Sequence, residues 1–253
     1  MRPLAVVVLL LLVAGCATHQ SRLFWRVREI ALSPSPAVEL VSRQQETLVT
    51  IDSQTVNKLL LAHFRITRSA GVQAELLISE GERANAYAGL MNARRVIGIN
   101  TAMVKLIGDD IDEYAALLGH EAAHWAKGHV DAGRLRSSTI QAIGNLIGAG
   151  LSMTGIPAAG LITGLGADMI DSTFSRDDER EADAFGVEYM LATGFDPEAA
   201  VRLHERMLKL PGGVRGPFLS THPSSEERID NLKKLIAAKK TQQPAEPERL
   251  DDR

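Results

Sequence analysis

The chain has 253 residues, 45% of them apolar, and a formal charge of −3, enough material for one substantial core without the basic excess that marks nucleic-acid binding. Aromatic residues make up only 4%, which leaves few platforms for stacking bases. No nucleic-acid partner is expected, and composition excludes little else beyond wholesale disorder.

Met1-Arg2-Pro3 precedes an unbroken apolar run from Leu4 to Ala14, followed by Gly15-Cys16. One cation ahead of a short apolar stretch has the form of a secretory signal, and the run is too short to cross a bilayer comfortably. Residues 1–15 are therefore expected to be a signal peptide. Val13-Ala14-Gly15-Cys16 resembles the bacterial lipobox, in which a peptidase cuts before cysteine, and this implies a lipidated Cys16. The plainer alternative is an ordinary signal with an incidental cysteine. Cys16 is the sole cysteine, so no disulfide can form within the chain. Ala17, standing where an aspartate would retain an enteric lipoprotein, implies a periplasmic protein anchored at the outer membrane's inner leaflet.

Residues 16–50 read as a lipidated N-terminus and tether, with Ser33-Pro34-Ser35-Pro36 unable to continue a helix. The main folded domain is expected over 51–238. Val56, Leu59, Leu60, His63 and Phe64 have helical spacing, with Ser53 as a candidate cap and Gly71 at the end. Ala74 to Ser79 and Ala84 to Leu90 read as short strands, and Arg95 to Asn100 has a strand's β-branched composition. Thr101 opens a helix through Leu106, and Asp109 or Asp110 begins the next. From Ser137 to Ala167 there is no charge; Thr154-Gly155-Ile156-Pro157 divides this stretch into two arms, each too short to span a membrane. A helical hairpin beside the cleft, serving as a lid, is expected there, with shallow membrane contact as the alternative. Further helices are expected from about Asp177, from Asp196-Pro197, and after Thr221-His222-Pro223-Ser224 through Ala238. The polar tail 239–253 is expected to be disordered. The fold class is α+β, mostly helical, with a small sheet beside the central helix.

That helix carries His120-Glu121-Ala122-Ala123-His124. At about 100° per residue, positions four apart lie about 40° apart, so both imidazoles can reach one ion while Glu121 projects beside it. The flanking Ala115, Ala116, Leu117, Leu118 and Trp125 mark a buried helix, where unpaired polar groups are costly. Zinc suits imidazole and leaves a position for water. The alternative is two polar histidines with a solvated glutamate. Catalytic zinc takes a third protein ligand; His129 has the wrong spacing and reads as a surface or supporting residue. Glu179 and Asp183 are four apart on a later helix, which lets Glu179 bind the ion and Asp183 accept a hydrogen bond from a ligating histidine. Glu181, about 200° from Glu179, faces elsewhere. An ordinary acidic helix start is the competing reading.

Together these residues resemble the HtpX-like and CAAX-prenyl-protease family of gluzincin zinc peptidases. The likeness runs over Asn85-Ala86-Tyr87-Ala88, Val96–Ile99 with Asn100-Thr101, His120-Glu121-x-x-His124, Ser175-Arg176, Glu179-x-x-x-Asp183, Thr221-His222-Pro223 and Arg228-Ile229. Within the family the short lipidated chain is similar to the periplasmic LoiP and BepA type, without a tetratricopeptide extension. The resemblance implies a zincin-like fold, one zinc held by His120, His124 and Glu179, and Glu121 as catalytic acid and base. It implies that Asp183 and Arg228 support the ligands, and that His222 either stabilises the oxyanion or closes the metal site in a latent form. The strand Val96, Ile97, Gly98, Ile99 is similar to the family's edge strand, on which an extended peptide pairs, with Asn85 holding the substrate backbone. His19, His63 and His204 are not expected to be ligands. The implied substrates are unfolded or misassembled envelope proteins, with outer-membrane assembly partners. Two other functions remain open: a latent zinc protein acting as chaperone or assembly factor, and a non-catalytic lipoprotein with a chance motif.

Overall fold

The structure, a computed structural model, describes residues 24–136, 174–210, 222 and 226–242. The expected signal peptide, Cys16, the uncharged stretch at 137–167 and the end of the tail lie outside the described residues. Among the described residues, no helix is long and apolar enough to cross a membrane.

Residues 24–50 are part of the domain, which corrects the expected tether. β1 (Phe24–Arg26) pairs antiparallel with β4 (Glu75–Ser79), and α1 (Val27–Ala31) buries Val27 and Ile30. β2 (Ala37–Val41) and β3 (Thr47–Asp52) form a separate antiparallel pair whose Leu40, Val49 and Ile51 enter the core. α2 (Ser53–Ser69) is capped by Asp52, not by Ser53: the Asp52 carboxylate accepts from the Thr55 amide at 2.8 Å and the Thr55 hydroxyl at 2.6 Å. An aspartate one position earlier satisfies two donors at once, so it displaces the serine.

The main sheet has the order β1-β4-β6-β5. β6 (Arg94–Asn100) runs parallel to β4 on one side and antiparallel to β5 (Ala86–Met91) on the other. The expectation that Val96, Ile97, Gly98 and Ile99 form an edge strand is therefore corrected. Both sides of β6 are paired and the run Val96–Asn100 is buried, as a continuous apolar stretch in a central strand should be. Among the described strands the edge next to it belongs to β5.

The β5–β6 hairpin turns on Asn92 and Ala93, between paired Met91 and Arg94, with φ of 50° and 60°. A two-residue turn with both φ positive matches the twist of the strands, but only glycine takes that conformation without steric cost. Across the same hairpin the Tyr87 ring covers Gly98, where a Cβ would lie 2.0 Å from the ring.

Asn100 ends β6 and caps α3 (Thr101–Ile107) by accepting from the Met103 amide. α4 (Ile111–Ala126) follows, capped by Asp110, and is buried almost throughout. It ends at Lys127, and Gly128 at φ 74° redirects the chain into the helical segment 129–136, α5. α6 (Arg176–Thr193) begins with a capping box between Ser175 and Asp178 and ends at left-handed Gly194. α7 (Glu198–Leu208) and α8 (Glu226–Gln242) complete the described helices. α8 runs past Ala238, with Lys239 bound to Glu188 and Lys240 to Glu198, so the expected disordered tail cannot begin at 239.

The hairpin yields a first prediction. Ala93→Gly should raise stability by about 0.5–1 kcal/mol by relieving the left-handed alanine, net of glycine's larger unfolded-state entropy, as measured by chemical denaturation. An unchanged or lowered midpoint would contradict the strained turn.

Candidate metal centre

Two helices meet without side chains between them. A Cβ on Gly119 of α4 would lie 3.0 Å from the Gly186 carbonyl oxygen of α6, and one on Gly186 would lie 3.1 Å from the His120 amide nitrogen. This close crossing brings the carboxylates of α6 onto the imidazoles of α4.

The His120 Nε2 lies 3.1 Å from the His124 Nε2 and 3.4 Å from Glu179 Oε2; the His124 Nε2 lies 3.3 Å from Glu179 Oε1. His222 brings its Nδ1 to 3.1 Å from the His120 Nε2 and 2.9 Å from Glu179 Oε1. All four side chains are buried. Protons alone satisfy this cluster poorly. Each ring nitrogen takes part in one hydrogen bond, yet the His120 Nε2 faces two other ring nitrogens and a carboxylate, while its Nδ1 already meets Asp183 at 3.0 Å. Donors about 2.0–2.1 Å from one tetrahedral zinc stand roughly 3.3–3.4 Å apart, close to the separations found. The donor set fits a zinc ion, and His120, His124, Glu179 and His222 are able to hold it.

A second layer of contacts fixes the ligands. Arg228 of α8 donates from Nε to Asp183 Oδ2 at 2.8 Å, from Nη2 to Asp183 Oδ1 at 2.6 Å, and from Nη1 to Glu179. Burial alone would raise both carboxyls. For Asp183 the Arg228 charge and the His120 and Arg228 hydrogen bonds outweigh it; for Glu179 the His120 and His222 charges do, and both are held well below the usual carboxylate range. In His120, burial opposes the charged form, but Glu179 and Asp183 prevail and carry it up to about 10. His124 moves the other way, well below its ordinary value, because burial dominates. Burial also pushes Glu121 up, against the His222 and His120 charges. Both Glu121 oxygens are buried without a hydrogen-bond partner among the described residues, and Oε1 lies 3.4 Å from His222 Nε2.

His129 is neither exposed nor distant. Because α4 stops at Ala126, the turn at Gly128 returns His129 to His124, Nδ1 to Nδ1 at 3.1 Å, and its Nε2 meets Glu181 Oε2 at 3.1 Å. If His124 ligates through Nε2, its Nδ1 carries the proton and donates, so His129 accepts there and donates from Nε2 to Glu181. The chain Glu181–His129–His124 thereby sets the tautomer of a ligand. Glu181 is on a different face from Glu179, as its spacing requires.

Phe174, ahead of α6, stacks on His124 at 3.7 Å and 20°; it is fifty positions along the chain, and no spacing signals it. Asn100, part of the family-like Asn100-Thr101 pair, has a role the sequence did not specify: besides capping α3 it accepts from the Asn85 amide at 3.0 Å and donates to the Arg83 carbonyl at 2.6 Å. Asn85 stands just before β5, its Oδ1 buried and unpartnered among the described residues. Val96 receives a hydrogen bond on its carbonyl from the Trp125 indole at 3.0 Å, which ties β6 to the metal-bearing helix. His63 and His204 lie outside the four-residue cluster; Cys16 and His19 are outside the described residues.

A family model described as peptidase family M48 matches residues 54–236. The chain is 26% identical over 154 residues to metalloprotease LoiP of Escherichia coli, covering 61% of this chain and 59% of that protein. It is 30% identical over 167 residues to the mitochondrial metalloendopeptidase OMA1 of Arabidopsis thaliana, covering 66% of this chain and 32% of the relative. A further relative is the beta-barrel assembly-enhancing protease of Escherichia coli, 29% identical over 132 residues, 48% of this chain and 26% of that protein. The chain thus spans less than two thirds of the length of each of these relatives.

Two measurements check the geometry. His129→Leu should weaken zinc binding about 10–100-fold by releasing the His124 ring, read by competition with a chromogenic chelator; unchanged affinity would remove His129 from the metal's support. Since His120 is protonated near neutrality in the metal-free site, zinc uptake should release about one proton at pH 7–8, and affinity should rise with pH. Calorimetry in buffers of different ionisation enthalpy would reveal it, and no proton release would contradict the charge state assigned to His120.

Proposed function

The chain belongs to peptidase family M48, and from that premise we propose that it is a zinc-dependent endopeptidase of the bacterial cell envelope, acting on misfolded or misassembled proteins. The observation carrying the reading is the convergence of His120, His124 and Glu179 on one point, with a buried Glu121 beside them that has no hydrogen-bond partner among the described residues. Zinc, when bound there, supplies Lewis-acid polarisation of a carbonyl and makes a water molecule more acidic. Glu121 takes the proton of the attacking water and returns it to the leaving nitrogen, a task suited to a carboxylate whose burial favours the protonated form. Asp183 and Arg228 keep the ligands oriented. An extended peptide pairs on the outer edge of β5, which is unpaired among the described residues, with Asn85 at its start and its Oδ1, unpartnered among those residues, available to a substrate amide; β6 supports that edge from behind.

The substrate class and setting are supported by the relative named as a beta-barrel assembly-enhancing protease and by the lipobox-like Cys16. On this reading Cys16 anchors the protein to the outer membrane's inner leaflet, facing the periplasm, within reach of outer-membrane assembly partners. A second reading is favoured by one observation, the placement of His222 as fourth donor: in this arrangement the position needed by water or substrate is filled. The protein then rests in a latent state, in which a chaperone or assembly role operates, and activity requires His222 to move.

Assays on an unfolded protein substrate decide between these states. Glu121→Gln should retain zinc and lose about 100-fold or more of the cleavage rate; cleavage at the parental rate would sink the hydrolase reading. His222→Ala should raise the rate if His222 closes the site, and lower it with zinc retained if it stabilises the oxyanion.

A further inference from the structure

Far from a neutral surface, the outer side of α2 is basic and apolar in a chain whose net charge is −3. Leu61 and Phe64 are 49% and 57% exposed, and Lys58, Arg65 and Arg68 share their stripe at helical spacing. Between α1, α2 and the first residues of β4 and β6 runs a groove of about 1220 Å³, lined by Leu60, Leu61 and Phe64 together with Arg28, Arg68 and Arg94. The acid in its wall, Glu75, is held by Arg26 at 3.2 Å, so little negative charge faces the groove. Contiguous apolar surface rimmed by polar groups, unlike scattered single side chains, marks protein or membrane interaction sites and ligand grooves.

We propose that this face docks on a bilayer, with anionic phospholipid headgroups against the arginines and Leu61 and Phe64 inserted at the headgroup boundary. The proposal rests on the lipid-anchored reading of Cys16. Seven residues lie between Cys16 and Phe24, so eight Cα-to-Cα steps give a reach of at most about 28 Å at roughly 3.5 Å per step. Arg28, on the groove wall, follows four residues later. The anchor therefore holds this side of the domain next to the membrane, where a lipid surface at high local concentration outcompetes a dissolved acidic protein. Docking would fix the orientation of the domain, and with it the direction in which the β5 edge meets substrates.

The test uses the full chain, exported and processed in a Gram-negative host and reconstituted on vesicles. An environment-sensitive fluorophore is placed at Leu61→Cys, and at Glu205→Cys on α7 as a control. An acylated Cys16, the sole native cysteine, does not react with the label. With phosphatidylglycerol in the vesicles, the probe at 61 should shift to the blue and be quenched by lipid-borne nitroxides, while the probe at 205 stays solvent-like. The shift should be lost in Arg68→Glu/Arg94→Glu, with flotation on the vesicles unchanged. A solvent-like probe at 61 on protein that floats, which includes the case of an acidic protein as the true partner, overturns the docking face. So does an equal shift on phosphatidylcholine alone or in the double variant. Failure to float on phosphatidylcholine refutes the anchor instead, and the probe's response to phosphatidylglycerol vesicles then decides the groove by itself.

Discussion

The site depends on the crossing of α4 and α6 at Gly119 and Gly186. With backbone against backbone, the carboxylate of Glu179 comes within 3.4 Å of the His120 Nε2 and 3.3 Å of the His124 Nε2. Larger residues at the crossing would push the helices apart, and ligands on two rigid rods tolerate little separation. The metal-binding geometry is thus set by the absence of two side chains as much as by the presence of four.

Burying this many ionisable groups is costly unless each finds a counter-charge. Arg228 neutralises the pair of α6 carboxylates from behind, Asp183 holds the outer nitrogen of His120, and Glu181 with His129 holds the outer nitrogen of His124. The partners come from α6 and α8 and from a histidine past the end of α4, so the outer atoms of His120, His124 and Glu179 are each engaged. Among the described residues the Glu121 carboxylate has no hydrogen-bond partner, only the His222 Nε2 at 3.4 Å from Oε1.

Much of this was legible in the chain itself, because it is local. The His120–His124 spacing, the Glu179–Asp183 spacing and the divergence of Glu181 all follow from helical periodicity. The α+β class and most helix starts follow from caps and prolines. What failed was non-local. The run Val96–Ile99 reads as a strand, but which strands flank it depends on β4, twenty residues earlier; its unbroken apolar character was the available sign of an interior position. Ser33-Pro34-Ser35-Pro36 suggested a tether, whereas the alternation through Val49 and Ile51 marked a half-buried hairpin. For His129 a surface and a supporting position both stayed open, because its direction hinges on the turn at Gly128, and the fold selects the supporting one; Phe174 meets His124 only after the chain has left and returned.

A direct test of the whole arrangement is anomalous diffraction at the zinc edge from crystals of the purified protein. One peak per chain, with the His120 Nε2, the His124 Nε2 and a Glu179 oxygen each about 2.0–2.2 Å away, is predicted. A peak elsewhere, or an ion bound to the α4 imidazoles with Glu179 out of reach, would contradict the convergence of the two helices on one metal.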